Sequence, residues 1–419
     1  MVNLKKQIID IAKRTKAACF SLLDIDTKIK NKVLREMAES LLKNRDFILK
    51  ENHKDIDFAK NKNFPGALID RLTLSDKRIK EMAASLIAIS MLPDPIGKII
   101  SKTRRPNGLI INKVRVPIGV IVVIYESRPN VTSDCIGLCF KSSNAVILRG
   151  GSEAINSNRA IYKILREVLI KNKINPDCIN LVPFVERNVI NVLLKLDNYI
   201  DLVMPRGGES LIRLVTEKSK IPVIKHYKGV CHIFVDNMAN LEMALKIIIN
   251  AKVQRPGVCN AVEKVLVHRD IAKNFLPKLI KELKSFNVEV RGCPITKRIV
   301  KDINNAREAD WYEEYLDLIL AIKVVNSLED AITHINYYGS RHSDSIITEK
   351  KSNALRFLKL VDSACVYQNA STRFTDGFQF GMGGEIGIST DKIHARGPMA
   401  LEELTTYKYE ILGRGQIRE

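Results

Sequence analysis

The chain has 419 residues, 67 basic against 47 acidic for a formal charge of +20, an apolar content of 46% and eight cysteines. Its length can bury a large core and suits two domains. The longest apolar run, around Val120–Tyr125, is far short of the ~20 residues that a membrane span requires, and the charged start (Lys5, Lys6, Asp10, Lys13, Arg14) is no secretory signal.

The cysteines are scattered without paired spacing, so no disulfide framework is expected, and a reducing, cytoplasmic setting is. Cys135 and Cys139 stand i, i+4 on an expected helix, but no second pair accompanies them; core packing is preferred and no metal is expected. The positive charge permits a nucleic-acid partner. Yet the lysines are spread along helical segments, with no basic tail and no aromatic interleaving. A solvated basic surface is the simpler reading, and the same field serves an anionic small-molecule substrate.

Residues 1 to about 95 read as helices, with apolar residues at helical spacing in Ile8, Ile11, Ala12 and again in Val33, Met37, Leu41. Asn63-Phe64-Pro65-Gly66 is a break, Leu74-Ser75-Asp76 a capped helix start, and Pro93-Asp94-Pro95 a terminator. Asn107-Gly108 then separates two β-rich runs, 98–104 and 109–114, which is a strong hairpin signal. Such a hairpin has little core of its own and reads as an arm. From residue 117 strands alternate with helices. Strands are expected at Val120–Tyr125, Ala145–Leu148, Ile179–Val182, Ile200–Met204 and Pro222–Lys225, with helices at 158–171 and 208–218 between them. A second series runs from Ile233 through Val262–Val267, Val288–Val290, Ile319–Val325 and Ser345–Thr348 to Cys365–Tyr367. The fold class is therefore α/β, with two doubly wound domains meeting near residues 226–232. The glycine-rich tail ends in a β-like run, Tyr409–Leu412, for which exchange with a neighbouring subunit is the expectation.

Three strand ends in the first series carry suggestive loops: Glu126-Ser127-Arg128-Pro129-Asn130, Arg149-Gly150-Gly151 and Arg206-Gly207-Gly208. Carboxyl ends of parallel strands are where open α/β sheets bind ligands, and Gly-Gly beside a helix start admits a phosphate to backbone N–H groups. No G-x-G-x-x-G occurs, so the ordinary dinucleotide fingerprint is absent. In the second series, Gln254-Arg255-Pro256-Gly257-Val258-Cys259-Asn260 places a thiol at a turn ahead of a buried strand. A substrate can reach a thiol there, and carbonyl chemistry would use it as the thiolate; by position alone the stronger reading is a small buried hydrophobe. After the last strand, Asn369-Ala370-Ser371-Thr372-Arg373 suits an amino-acid carboxylate and amine, with Arg373, Ser371 and Thr372 as candidate contacts.

The motifs Val116–Val120, Tyr125–Thr132, Val146–Gly151, Gln254–Asn260, Asn369–Gly377 and His394–Met399 together resemble the γ-glutamyl phosphate reductase family of the aldehyde dehydrogenase superfamily, in one order from the helical start to the tail. The resemblance implies an aldehyde-dehydrogenase-like fold of two Rossmann-like domains plus a hairpin-and-tail oligomerisation element. Residues 1–97 and 115–231 would then bind NADPH, 232–380 would carry the catalytic cysteine, and 98–114 with 381–419 would form the oligomerisation hairpin and tail of a homo-oligomer. It further implies Cys259 as nucleophile and Asn130 in the oxyanion hole. Arg149, Gly150, Gly151, Gly207, Gly208 and Glu314 fall on the cofactor, with Arg149 at the adenosine ribose or its 2′-phosphate and Glu314 at the nicotinamide ribose. Arg206 and Arg373 would meet the phosphate and α-carboxylate of L-glutamyl 5-phosphate, delivered by a separate glutamate 5-kinase and reduced to L-glutamate 5-semialdehyde for proline synthesis. One departure is informative: where hydrolytic relatives place a glutamate followed by Leu-Gly-Gly, this chain has Val223-Ile224-Lys225-His226-Tyr227-Lys228-Gly229. The base that activates water is missing there, unless His226 replaces it. Two rival readings are a hydrolytic NAD(P)-dependent aldehyde dehydrogenase and a basic nucleic-acid-binding α/β protein with an inert Cys259.

Overall fold

A computed structural model describes residues 2–418. By contact the chain forms two compact units: residues 1–225 with 381–387 and 399–419, and residues 226–380 with 388–398.

The first unit begins with helices α1 (Val2–Ser21), α2 (Thr27–Lys43), α3 (Arg45–Asn61), α4 (Gly66–Leu72) and α5 (Asp76–Met91). The capped start expected at Ser75 is real: its side chain accepts from the Arg78 N–H. A hairpin follows, β1 (Ile99–Arg104) and β2 (Ile110–Pro117), and then β3 (Val120–Tyr125), α6 (Asn130–Lys141), β4 (Ala145–Gly150), α7 (Ile155–Lys171), β5 (Ile179–Leu181), α8 (Asn188–Leu193), β6 (Leu202–Arg206) and α9 (Glu209–Lys218). The sheet is parallel with order β5-β4-β3-β6. Its strands β3 and β4 are buried at every position, which is why Val120–Tyr125 and Ala145–Leu148 read as unbroken apolar runs. The helical start is keyed to this sheet by polar contacts as well as packing. Asp55 of α3, fully buried, accepts from Ser157 N at 2.8 Å and Asn156 N at 3.1 Å, so its carboxylate caps the first turn of α7.

The second unit comprises β7 (Cys231–Val235), α10 (Leu241–Val253), β8 (Val262–His268), α11 (Arg269–Ser285), β9 (Glu289–Gly292), α12 (Pro294–Ile299), β10 (Asn304–Asn305), β11 (Ile319–Val325), α13 (Leu328–Tyr338), β12 (Ser343–Ile347), α14 (Lys351–Leu360), β13 (Cys365–Gln368), β14 (Ile388–Ser389) and β15 (Gly397–Pro398). The parallel sheet runs β10-β9-β11-β8-β7-β12-β13. Alternation along the strands assigns its two faces. Ile233, Val235, Val265, Val267 and Ile347 pack with α10 and α11 residues such as Ile248, Phe275 and Leu279, whereas Phe234, Leu266 and Ile346 pack with Ile332, Ile335 and Phe357 of α13 and α14. The chain is thus wound on both faces.

One expectation needs correction. Pro222–Lys225 is not a strand; it touches β6 only through a bridge at Val223–Val203, since Pro222 has no N–H to donate to a ladder. The chain passes from the first unit to the second at residue 226, and residues 388–398 of the tail belong to the second. The closing strand is β16 (Thr405–Leu412). It pairs antiparallel with β2 of its own chain, from Thr405 opposite Pro117 to Leu412 opposite Ile110. Arg115 fixes that register by donating to Thr405 Oγ1 at 2.8 Å and pairing with Glu402 at 3.0 Å, while Asn144 Nδ2 donates to the Leu404 carbonyl at 2.7 Å. Among the described residues, no helix is long and apolar enough to cross a membrane.

Candidate active site

In the second unit, residues 254–261 leave α10 and turn into β8, and Cys259 lies in that turn. Seven of the eight cysteines are buried; Cys259 alone is partly exposed. The loop is held from below by main-chain contacts. A Cβ on Gly229 would lie 1.9 Å from the Cys259 carbonyl oxygen, so only glycine permits this approach, and Cys231 Sγ donates to the same oxygen at 3.1 Å.

Glu314 reaches this base. Its carboxylate accepts from Gly229 N at 2.8 Å. The segment around it is anchored by the residues that open β8: Lys264 Nζ donates to the Glu313 carbonyl at 2.7 Å, and Tyr315 N donates to Glu263 at 3.3 Å. Burial pushes the Glu263 carboxyl up to about 7 and the Lys264 ammonium down to about 7, and Lys252, also fully buried, pairs with Glu263 at 3.2 Å.

From the other side the loop is held by residues 371–375. Arg373 Nε donates to Gln254 Oε1 at 2.9 Å, and its Nη1 to Asn260 Oδ1. Thr372 Oγ1 donates to the Asn260 carbonyl at 2.7 Å, and Asn260 Nδ2 to the Thr375 carbonyl at 2.8 Å. Ser371 accepts from the Arg373 N–H. Ser371 and Thr372 are buried and hydrogen-bonded to main chain, so what the geometry gives them is support of the Cys259 loop. Arg373 has its pKa lowered by burial first and by the neighbouring Arg255 guanidinium second. Two guanidinium groups in each other's field are an invitation to an anion. Arg255 lies within the loop itself, where nothing in the local sequence marks it for an anion.

His226 and His342 stand beside the thiol: one ring nitrogen of each and Cys259 Sγ lie within 4.8 Å of one another. Nothing in Arg341-His342-Ser343 marks His342 until the fold sets it beside residue 259.

In the first unit the expected loops converge at the carboxyl edge of the sheet. Glu126 N donates to the Arg206 carbonyl at 3.0 Å, Gly208 N to Glu126 Oε2 at 3.3 Å, and Ser127 N to Glu153 Oε1 at 2.7 Å. A Cβ on Gly150, Gly151 or Gly207 would meet the side-chain ends of Asn158, Glu153 and Glu126 respectively, while Gly208 faces open space. Arg149 is buried, donates from Nη2 to the Val185 carbonyl at 2.8 Å, and its Nε finds no partner. Burial lowers the Arg149 pKa, against the pull of Glu153 and Glu126.

Asn130 opens α6, and its Nδ2 donates to Asp134 Oδ2 at 3.1 Å. Burial pushes the Asp134 carboxyl up to about 6, against hydrogen bonds from Ser85 and Asn130 and the field of Arg206. The stem of Arg206 lies against Gly387, whose Cβ would come within 3.0 Å of Arg206 Cδ. Asn130 therefore bonds to a carboxylate whose charge the field of Arg206 favours.

The model of the aldehyde dehydrogenase family matches residues 5–318. The chain is 59% identical, over 97% of its length and 99% of the relative, to a protein named gamma-glutamyl phosphate reductase from Caldanaerobacter subterraneus subsp. tengcongensis. It is 54% identical, over the whole of both chains, to one of the same name from Clostridium acetobutylicum. Among solved structures it is similar to the gamma-glutamyl phosphate reductase of Thermotoga maritima, with a TM-score of 0.96 and 48% identity over 98% of this chain and 100% of that one.

Proposed function

Because the chain belongs to the aldehyde dehydrogenase family and, within it, to the γ-glutamyl phosphate reductases, we propose that Cys259 is the nucleophile with which it reduces L-glutamyl 5-phosphate to L-glutamate 5-semialdehyde in proline biosynthesis. The observation that carries this reading is that Cys259 alone of eight cysteines is partly exposed, on a loop gripped by Arg373, Thr372 and Gly229.

The family uses a nicotinamide dinucleotide, and the first unit's sheet edge fits one. A buried guanidinium with an unpartnered N–H suits a phosphate or ribose oxygen, and the carboxylates of Glu126 and Glu153 can accept from ribose hydroxyls. We assign NADPH to this edge, held by Arg149, Gly150, Gly151, Gly207 and Gly208, with Glu314 on the nicotinamide side. When bound, the reduced nicotinamide supplies the hydride.

The Cys259 thiolate attacks the acyl carbon, the bond to the phosphate oxygen breaks, and a thioester forms on Sγ. Asn130 donates one amide N–H to Asp134; the other is the donor we assign to the developing oxyanion, with the Cys259 N–H. Arg206 takes the leaving phosphate and Arg373, beside Arg255, the α-carboxylate. After reduction the carbon–sulfur bond breaks, releasing the semialdehyde and restoring the thiolate.

Two substitutions separate these roles. Arg373→Ala removes a charge-assisted contact worth roughly 1.5–3 kcal/mol, so the KM for the acyl substrate should rise about 10- to 100-fold with NADPH affinity unchanged; an unchanged substrate KM would remove Arg373 from the site. Arg149→Met should raise the KM for NADPH by a comparable factor and leave that for NADH nearly untouched. Equal effects on the two cofactors would contradict a 2′-phosphate contact.

The three-stranded sheet β1-β2-β16 is the element we assign to oligomerisation. Along β16, Tyr407, Tyr409 and Ile411 share one face and are 49%, 58% and 61% exposed, an apolar stripe on a sheet with little core of its own. Tyr409→Lys with Ile411→Lys should convert the sedimenting species to monomer. A double variant that sediments like the parent would place the interface elsewhere.

A further inference from the structure

We propose that Cys259, His226 and His342 form a three-ligand site for zinc or another thiophilic divalent cation, which reversibly caps the thiol. One donor atom from each residue lies within 4.8 Å of the other two. The donor set is one sulfur and two imidazole nitrogens, with no carboxylate among the three. That combination selects zinc, cobalt or cadmium over magnesium or calcium, which take oxygen.

The imidazoles are presented as metal ligands are. His226 Nδ1 lies 2.9 Å from the Ile388 carbonyl oxygen; a carbonyl only accepts, so Nδ1 carries the hydrogen and Nε2 keeps its lone pair. A ligand histidine is commonly oriented by such a second contact. His342, fully buried, has Nδ1 at 2.8 Å from Ser343 Oγ, which in turn is 2.6 Å from Thr375 Oγ1, and that hydroxyl is 2.7 Å from Tyr367 OH. The two rings meet edge to face, with centroids 5.4 Å apart.

Zinc–sulfur and zinc–nitrogen bonds of about 2.3 and 2.0–2.1 Å set ligand–ligand separations of roughly 3.3–3.6 Å in a tetrahedron. Closing to that spacing asks for side-chain shifts of about 1 Å, which the partly exposed Cys259 and His226 can make around the fixed His342. Three protein ligands leave the fourth position to water, as in open zinc sites. On binding, the Cys259 S–H proton passes to solvent, a metal–sulfur bond forms, and both nitrogens donate lone pairs; nothing is oxidised or reduced. The sulfur is then unavailable to an acyl carbon, so the cation inhibits. That consequence, though not the binding itself, rests on Cys259 being the nucleophile.

Cobalt(II) is the probe that reads the ligands directly. Titrated into chelator-treated enzyme, it should produce a saturable thiolate-to-cobalt charge-transfer band at one equivalent per chain, lost on adding zinc. The band should be absent in Cys259→Ser. His226→Gln, at a partly exposed position, should weaken zinc binding at least about 10- to 100-fold, a change reported even for second-shell partners of metal ligands. Zinc should stop turnover, and a chelator should restore it. No saturable band, or a band kept in Cys259→Ser, would overturn the site. Stoichiometric zinc with undiminished turnover would leave the site standing and overturn the nucleophile instead.

Discussion

Cys259→Ala should abolish reduction of the acyl phosphate, lowering kcat by roughly 10⁴-fold or more, the scale on which covalent enzymes lose rate when their nucleophile is removed. The loss should be chemical rather than structural. The contacts that hold this loop reach its main chain and its neighbours: Cys231 and Gly229 meet the Cys259 backbone, and Arg373 and Thr372 meet Asn260. Removing one partly exposed sulfur therefore leaves the loop in place, and NADPH binding should be unchanged. Activity above a few per cent in Cys259→Ala, with a matching melting temperature, would show that another group carries the acyl chain.

Run backwards, the enzyme should form NADPH from glutamate semialdehyde only when inorganic phosphate is supplied. Residues 223–229 contain no glutamate to activate water against the thioester. A positioned base typically contributes about 10²–10⁴-fold in rate. Glu314 accepts from the Gly229 N–H, and His226 is held through Nδ1 by the Ile388 carbonyl, which leaves its Nε2 as the nearby nitrogen a hydrolytic route would need. Phosphate needs no such base, being already anionic, and Arg206 is the group we assign to it. Without phosphate, one burst of NADPH per active site is the expected limit. Sustained phosphate-independent turnover would mark a hydrolytic enzyme, with His226 the first base to test and Glu314 the second.

Much of the architecture was legible because single periodicities decided it. The apolar, β-branched run of β3 read as a covered parallel strand, and Asn107-Gly108 announced its hairpin, where Gly108 has φ +88°. The partner of β16 was not legible. Pairing residue 405 with residue 117 rests on Arg115, Glu402 and Asn144, and no local pattern encodes those distant contacts. The site divides similarly. Cys259 and Arg373 stood out by turn chemistry and by their motifs. His342 became visible only when the fold set it beside the thiol, and Arg255 only when Arg373 came into its field. Gly229 matters for how close it comes to Cys259, which sequence cannot show.

The most direct measurement is to trap the acyl-enzyme. Enzyme mixed with NADP⁺ and glutamate semialdehyde, without phosphate, is quenched in acid, digested and mapped by mass spectrometry. A glutamyl thioester should appear on the peptide containing Cys259, in an amount matching the NADPH burst, and disappear when phosphate is added before the quench. An adduct on another residue, or NADPH formed with no adduct at all, would contradict the assignment of Cys259.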